Sequence, residues 1–207
     1  MHQEAGGIRR QRASETEAAL KKAAVVVFAR VGYLNAKITD ITKEAGRAAG
    51  SFYSHFSDKE ALLEALLTDL LAESDENVSN DQEHSEDFSD RATIRWHVAA
   101  YWAFVREHHT VMTALQQAAM VDQRFAARLQ ELYRADLLHI ADHLRLAEKR
   151  GATLPGDPVL VASMFSALLS QFSNWVGATN EALGRQATDQ EVIESLTSFI
   201  AGAIGAR

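Results

Sequence analysis

The run from Thr39 to Glu60, TDITKEAGRAAGSFYSHFSDKE, constrains the fold more tightly than any other stretch of the chain. In TDITKEAG, Thr39 is placed to cap the first backbone N–H groups of a helix. Ile41 and Ala45 lie one turn apart on one face, and Gly46 supplies a left-handed stop. That helix has barely two turns. From Ala48 to Phe56, Phe52, Tyr53 and Phe56 share a face at spacings of three and four, leaving Ala49, Gly50 and Ser54 outward. A capping box from Ser57 to Glu60 then opens another helix. Two short helices joined at a glycine, the second with a bare outer face, make a helix-turn-helix whose second helix enters the major groove.

The flanking sequence is helical throughout, and the expected fold class is all-α. Leu20, Ala23, Ala24, Val27, Phe28 and Val31 repeat at three and four before Gly32 ends the run. Tyr33 follows and either packs or contacts a phosphate, with packing the favoured expectation. After Ser57, Leu62, Leu63, Leu66, Leu67, Leu70 and Leu71 form an apolar face wide enough to need cover on more than one side. Residues 73–90 hold eight acidic residues and no basic one, and read as a linker or frayed helix end too polar to pack. Helical periodicity resumes at Arg91, again over Val111 to Met120, and again from Asp122 until Gly151, Pro155 and Pro158 break it.

The order AG, GSFYSHF, SDKEALL, preceded by VVVFARVGY and KITDI, resembles the N-terminal domain of TetR-family transcriptional regulators over roughly Ser14 to Ser74. The resemblance implies a three-helix DNA-binding unit with its motif at about 37–56, followed by a larger helical ligand-binding and dimerisation domain at 75–207. Residues 1–13 read as a flexible basic arm. Relatives of this kind contact phosphates at the positions of Lys37, Tyr53, His55 and Lys59. The expected DNA-binding set also holds Arg9, Arg10 and Arg12 on the arm, and Thr39 in the motif. Arg47, Ala48, Ala49, Gly50 and Ser51 complete it at the bases. Ala48, Ala49 and Ser51 are too short for bidentate reading and would meet thymine methyls, which leaves Arg47 the one long donor. The family usually places an apolar residue and then Ser or Thr after the glycine, where this chain has Arg47 and Ala48. That departure supports a competing class, a helical small-molecule binding or adaptor protein without sequence-specific DNA binding.

The net charge of −7 splits unevenly. Residues 1–60 hold ten Lys and Arg against seven Asp and Glu, net +3, whereas residues 61–207 hold eleven against twenty-one, net −10. The basic surplus lies where DNA would bind, and the acidic remainder discourages other orientations. With no cysteine, disulfides and thiol chemistry are excluded. A reducing cytoplasm fits, and no secretory signal is evident at the N-terminus. No catalytic constellation, phosphate-binding glycine loop or cofactor motif is present, so the expectation is a non-enzyme without cofactors.

The body carries more aromatic residues than a packed bundle needs, which points to an apolar effector cavity. The expected lining is Leu66, Leu70, Trp96, His97, Tyr101, Phe104, Met112, Leu115, Gln116, Met120, Phe125, Leu129, Tyr133, Asp136, Phe165, Leu168, Phe172 and Trp175. Ser163, Ser166, Ser170, Ser173 and Gly177 form a stripe of small side chains, and Ser195, Ser198, Gly202 and Gly205 repeat it on the last helix. Such stripes let helices approach closely, so this pair is expected to meet its two-fold copy as a four-helix bundle. The uncharged stretch Val159 to Asn180 is long enough to span a bilayer, but its polar residues argue against a membrane. His139 and His143 are one turn apart and could hold a metal, but only Asp136 or Asp142 offers a carboxylate at a neighbouring turn, so a satisfied or exposed pair is expected and no metal site. The partners expected are an operator duplex, a small effector that would release a repressor, and a second copy of the chain.

Overall fold

The computed structural model describes residues 2–80, 84–176 and 184–206, with side chains from residue 10 onward except 75–77, 79 and 80. Among the described residues the chain is helical and has no strand. The order is α1 (His2–Val31), α2 (Ile38–Glu44), α3 (Ala49–Tyr53), α4 (Lys59–Asn80), α5 (Arg91–Glu107), α6 (His109–Val121), α7 (Gln123–Lys149), α8 (Pro158–Val176) and α9 (Asp189–Ile204).

The chain divides into two compact units, Met1–Ala72 with Thr110–Leu129, and Glu73–His109 with Gln130–Arg207. Residues 110–129 thus join the N-terminal module, which a division at residue 74 does not anticipate. The reason is long-range and side-chain specific: the Gln117 carboxamide oxygen accepts the Tyr33 backbone N–H at 3.0 Å, and Arg128 pairs with Glu64 at 2.8 Å. In this unit Leu20, Ala23, Ala24, Val27 and Phe28 of α1 are buried with Ile41, Phe52, Phe56, Leu62, Leu63 and Leu67. Val31, expected on that face, is 39% exposed as the last residue of α1, where Gly32 turns left-handed at φ 74°. The second unit is built on α5 packed against α8 and α9. Its core joins Ile94, Val98, Trp102, Leu144, Val161, Phe165, Leu196, Ile200 and Ile204.

Three expectations are corrected. Residues 2–13 are the first turns of α1, not an irregular arm, because Glu, Ala, Gln and Arg around Gly6 and Gly7 outweigh a glycine penalty of about 1 kcal/mol each. Helix boundaries shift by one or two residues: α2 starts after Lys37, whose N–H donates to the Asp40 carboxylate at 3.3 Å, so Thr39 lies within the helix. Likewise α4 is capped by Asp58, which accepts the Ala61 N–H at 2.7 Å, while Ser57 donates to Asp58 and Glu60 is engaged elsewhere. Finally, the acidic segment packs: α4 continues to Asn80, and Phe88 is 3% exposed in the core of the second unit. Asp87 holds this strap by accepting the Ser89 N–H at 3.0 Å and its hydroxyl at 2.5 Å, and it pairs with Arg150.

Candidate functional site

The corner between α2 and α3 is closed by backbone alone. Gly46 sits at φ 63°, its N–H donates to the Lys43 carbonyl at 3.1 Å, and the Arg47 N–H donates to the Thr42 carbonyl at 2.9 Å. This is a Schellman closure, and it turns the chain sharply before Ala48. The five-residue α3 has no side-chain cap at Ala48. It is held instead by Phe52, fully buried and packed on Phe56 with ring centroids 5.6 Å apart. An isolated helix of this length is unstable, so burial of Phe52 and the packing of α3 on α2 must supply what nucleation costs.

Anchoring Phe52 inward turns the opposite side of α3 out. Arg47, Ala48, Ala49 and Gly50 are exposed, Tyr53 is 62% exposed, and Ser51 is half-buried. Tyr53 therefore leaves the apolar face assigned to it by spacing and joins the outer surface. A Cβ at Gly50 would meet nothing within 4 Å, so the fold itself does not require glycine there. Lys37 and Thr39 are exposed beside this face, and Arg10 and Arg12 are exposed on α1. The Arg9 side chain lies outside the described residues. Lys43, not singled out by sequence, is exposed in the last turn of α2.

Two expected phosphate contacts are engaged inside the module. The Lys59 ammonium donates to the Tyr33 carbonyl at 2.7 Å and the Ala36 carbonyl at 3.0 Å, and lies 4.1 Å from the Tyr33 ring centroid. Burial lowers its pKa, and Glu60 pulls it back up. Tyr33 is 2% exposed, as its packing role requires, and its hydroxyl donates to Glu60 at 2.6 Å. Burial first, and that carboxylate second, push the phenol well above its usual range. His55 is half-buried, with Nδ1 3.9 Å from the Glu17 carboxylate. The wide turn at 33–37 is thus pinned to α4 by a lysine that periodicity alone cannot assign.

The eighteen residues expected around an effector fall into both units. Leu66, Leu70, Met112, Leu115, Gln116, Met120, Phe125 and Leu129 belong to the first, and Trp96, His97, Tyr101, Phe104, Tyr133, Asp136, Phe165, Leu168, Phe172 and Trp175 to the second. Met120 is 86% exposed, Trp175 62% exposed, and Asp136 exposed, so these three do not line an enclosed cavity within the chain. Trp102 is core, its indole N–H donating to Asp189 at 3.0 Å. Within the first unit a cavity of about 280 Å³ lies between Ser57, Asp58, Glu60, Ala61 and Glu64 on one side and Asp122, Arg124, Phe125 and Arg128 on the other. Of the expected lining only Phe125 borders it. Tyr101 and Tyr133 are half-buried, and burial pushes the Tyr101 phenol up to about 12.

The small-residue stripe does not form one surface. Ser173 is buried, Ser163 and Ser170 are half-buried, and Ser166 and Ser195 are exposed. Ser198 accepts from Arg91 at 3.0 Å, Gly202 is exposed, and Gly205 ends α9 at φ 64°. Gly177 lies outside the described residues. What α8 and α9 leave uncovered instead is large and apolar: Leu160, Met164, Trp175 and Phe199 are 52, 54, 62 and 65% exposed. Among the described residues α8 is long and apolar enough to cross a membrane by length and composition.

A histidine cluster in the second unit joins His97, expected in the effector lining, to His143, expected only as half of a pair, and to His84, which the sequence did not single out. His97 of α5, His143 of α7 and His84 of the strap each bring one ring nitrogen within 4.8 Å of the other two. His143 is 2% exposed, and its Nε2 lies 3.0 Å from Nε2 of His139 one turn earlier. Nδ1 of His97 lies 3.0 Å from the Thr93 carbonyl. Burial, assisted by the neighbouring imidazoles, pulls His97 and His143 down to about 4 against the opposing pull of Thr93, Glu86 and Asp142. Sequence shows His139 and His143 as a pair; His97 arrives through the packing of α5 and His84 through that of the strap, with Phe88 wedged 4.8 Å from His97 and 5.0 Å from His143.

Taken with the exposed outer face of α3, the fold defines a helix-turn-helix protein of all-α build. Residues 20–66 match the family described as "Bacterial regulatory proteins, tetR family". The uncharacterized HTH-type transcriptional regulator YvdT of Bacillus subtilis (strain 168) is 39% identical over 67 residues, covering 32% of this chain and 34% of that protein. The chain thus spans about a third of the length of that relative. YhgD of the same organism, of the same description, is 26% identical over 142 residues, 68% of this chain and 73% of that one. Among solved structures, the fatty acid degradation regulator FadR from Bacillus halodurans superposes with a TM-score of 0.73 at 18% identity, over 92% of this chain and 97% of that one. A putative transcriptional regulator from Saccharomonospora viridis in complex with choline gives 0.73 at 22%, over 92% and 98%. FadR from Bacillus subtilis in complex with stearoyl-CoA gives 0.71 at 16%, over 90% and 98%. The N-terminal segment of the chain, residues 20–66, is thus that of the TetR family of bacterial regulatory proteins.

Proposed function

We propose that this protein is a cytoplasmic, ligand-responsive transcriptional regulator that binds a palindromic operator as a homodimer and represses until a small, largely apolar effector releases it. The observation that carries the reading is the outward face of α3. Arg47, Ala48, Ala49, Gly50 and Tyr53 are exposed together while Phe52 and Phe56, from the same short segment, are buried. A fold that needed α3 only for its core would have no reason to present small side chains and an unobstructed glycine on its far side. Arg47 reads bases, Lys37, Thr39, Lys43 and Tyr53 position phosphates, and Arg10 and Arg12 extend the contact along the backbone.

The dimer surface is the uncovered apolar face of α8 and α9, centred on Leu160, Met164, Trp175 and Phe199. Large apolar side chains left uncovered in this way mark an interaction surface, and two-fold pairing of recognition helices about 34–36 Å apart matches successive major grooves. The effector is taken up by the helical body. That relatives of the same fold are described in complex with stearoyl-CoA and with choline supports a small-molecule partner without specifying which. The test is fluorescence anisotropy on duplexes from the gene's own upstream region across a salt series. Wild type should bind with a steep salt dependence, and Arg47→Ala should relax preference at one base pair by about 1–3 kcal/mol. Failure of the purified dimer to bind any such duplex at low salt would sink the reading.

A further inference from the structure

We propose that His84, His97 and His143 form a binding site for a borderline divalent transition-metal ion, with zinc the type case. The residues whose ring nitrogens converge also own the orphaned atoms: Nε2 of His84, Nε2 of His97 and Nδ1 of His143 are buried without a hydrogen-bond partner. A buried polar atom left unpaired is costly, and three from converging rings call for an occupant.

The second contacts fit that assignment. With Nδ1–H of His97 directed at the Thr93 carbonyl, its Nε2 carries the lone pair; with Nε2 of His143 bonded to His139, its Nδ1 is left to coordinate. The spacing also fits. Tetrahedral zinc with bonds of about 2.0–2.1 Å would separate its ring centroids by about 5 Å. The three pairs here stand 5.3 Å apart for His84 and His97, 6.0 Å for His84 and His143, and 5.0 Å for His97 and His143. Small ring movements then bring nitrogens now within 4.8 Å to the roughly 3.3 Å that such an ion requires. Imidazole donors without a carboxylate select zinc, cobalt, nickel or copper over magnesium and calcium. Phe88 and Trp96, with rings 4.8 Å from His97 and 4.9 Å from His84, form the apolar wall. Three protein ligands leave one position for water or for a donor atom of a small molecule.

The experiment uses the full chain without an affinity tag, stripped with a chelator and titrated with cobalt(II). One equivalent should produce the visible ligand-field absorption of a four- or five-coordinate ion, displaced by zinc and unaffected by magnesium. His84→Gln and His97→Gln should each weaken cobalt binding by about 100-fold or more, and His139→Gln by about 10–100-fold as a second contact. His108→Gln, remote from the three rings in sequence, should leave it unchanged. Circular dichroism verifies that each variant keeps its helix content. X-ray absorption of the zinc-loaded wild type needs no variant and should give a first shell containing three imidazole nitrogens. No saturable cobalt binding by wild type at micromolar protein, full binding by a folded His84→Gln, His97→Gln double variant, or a shell without imidazole overturns the proposal.

Discussion

Lys59 offers the sharpest test of how this module is held together, because sequence and structure assign it opposite duties. As a phosphate contact it would matter only with DNA present; as a tie between α4 and the turn at 33–37 it matters to the folded state itself. Its ammonium donates at 2.7 and 3.0 Å to two carbonyls and lies 4.1 Å from the Tyr33 ring centroid. Hydrogen bonds to charged groups contribute about 1.5–3 kcal/mol each, and a cation over a ring about 0.5–1 kcal/mol where solvent reaches it. Against these stands partial desolvation of the ammonium, the leading cause of its lowered pKa. The Tyr33 carbonyl also keeps a second donor, the Ala36 N–H at 3.2 Å. The lower end of the range applies, so Lys59→Met, which preserves the stem, should cost about 2 kcal/mol. For a chain of this size that is a fall in unfolding midpoint of roughly 4–8 °C. The same variant should leave the slope of log K against log salt unaltered, whereas loss of one phosphate contact changes it by about 0.9. Thermal unfolding by circular dichroism and a salt series by anisotropy read the two quantities separately. An unchanged midpoint together with a slope reduced by nearly one unit would refute the structural assignment of Lys59.

Other outcomes follow from the same geometry. Phe52→Ala should cost about 3–5 kcal/mol and abolish DNA binding at temperatures where the second unit is still folded, while Tyr53→Ala should change stability by no more than about 0.5 kcal/mol; urea unfolding compares them. Gly50→Ala should raise helix stability by up to about 1 kcal/mol, since nothing blocks a Cβ there, yet weaken operator binding, and equal affinity for both forms would remove close backbone approach from the mechanism. Phe199→Glu should convert the dimer to a monomer in sedimentation analysis, because it places a charge on the uncovered face of α8 and α9. Glu194 accepts from Arg91 at 2.9 Å and Arg95 at 2.5 Å, and these bonds, Arg95 first, hold its carboxyl below the ordinary glutamate range. A depressed folded-state value stabilises above the unfolded pKa and is lost as pH falls through the folded one. Glu194→Gln should therefore lower the unfolding midpoint at pH 7, with the difference from wild type closing below about pH 4.

Local signals carried a large part of the molecule. Gly46, Gly32, Gly151 and Gly205 end helices at positive φ where a turn must be left-handed, and the periodicity of α1 reported its buried face except at Val31 because 3.6-residue repetition is a property of the chain alone. The outward Arg47 to Gly50 segment was legible for the same reason, since burial of Phe52 and Phe56 dictates the opposite face. What required tertiary structure was every contact between residues far apart in sequence. Lys59 reaches carbonyls some two dozen residues away, and residues 110–129 join the N-terminal unit through Gln117 and Arg128. The acidic strap carries Phe88 into a core and His84 to His97 and His143. Spacing along a helix tells which side chains share a face; only the packing of one element on another tells what that face meets.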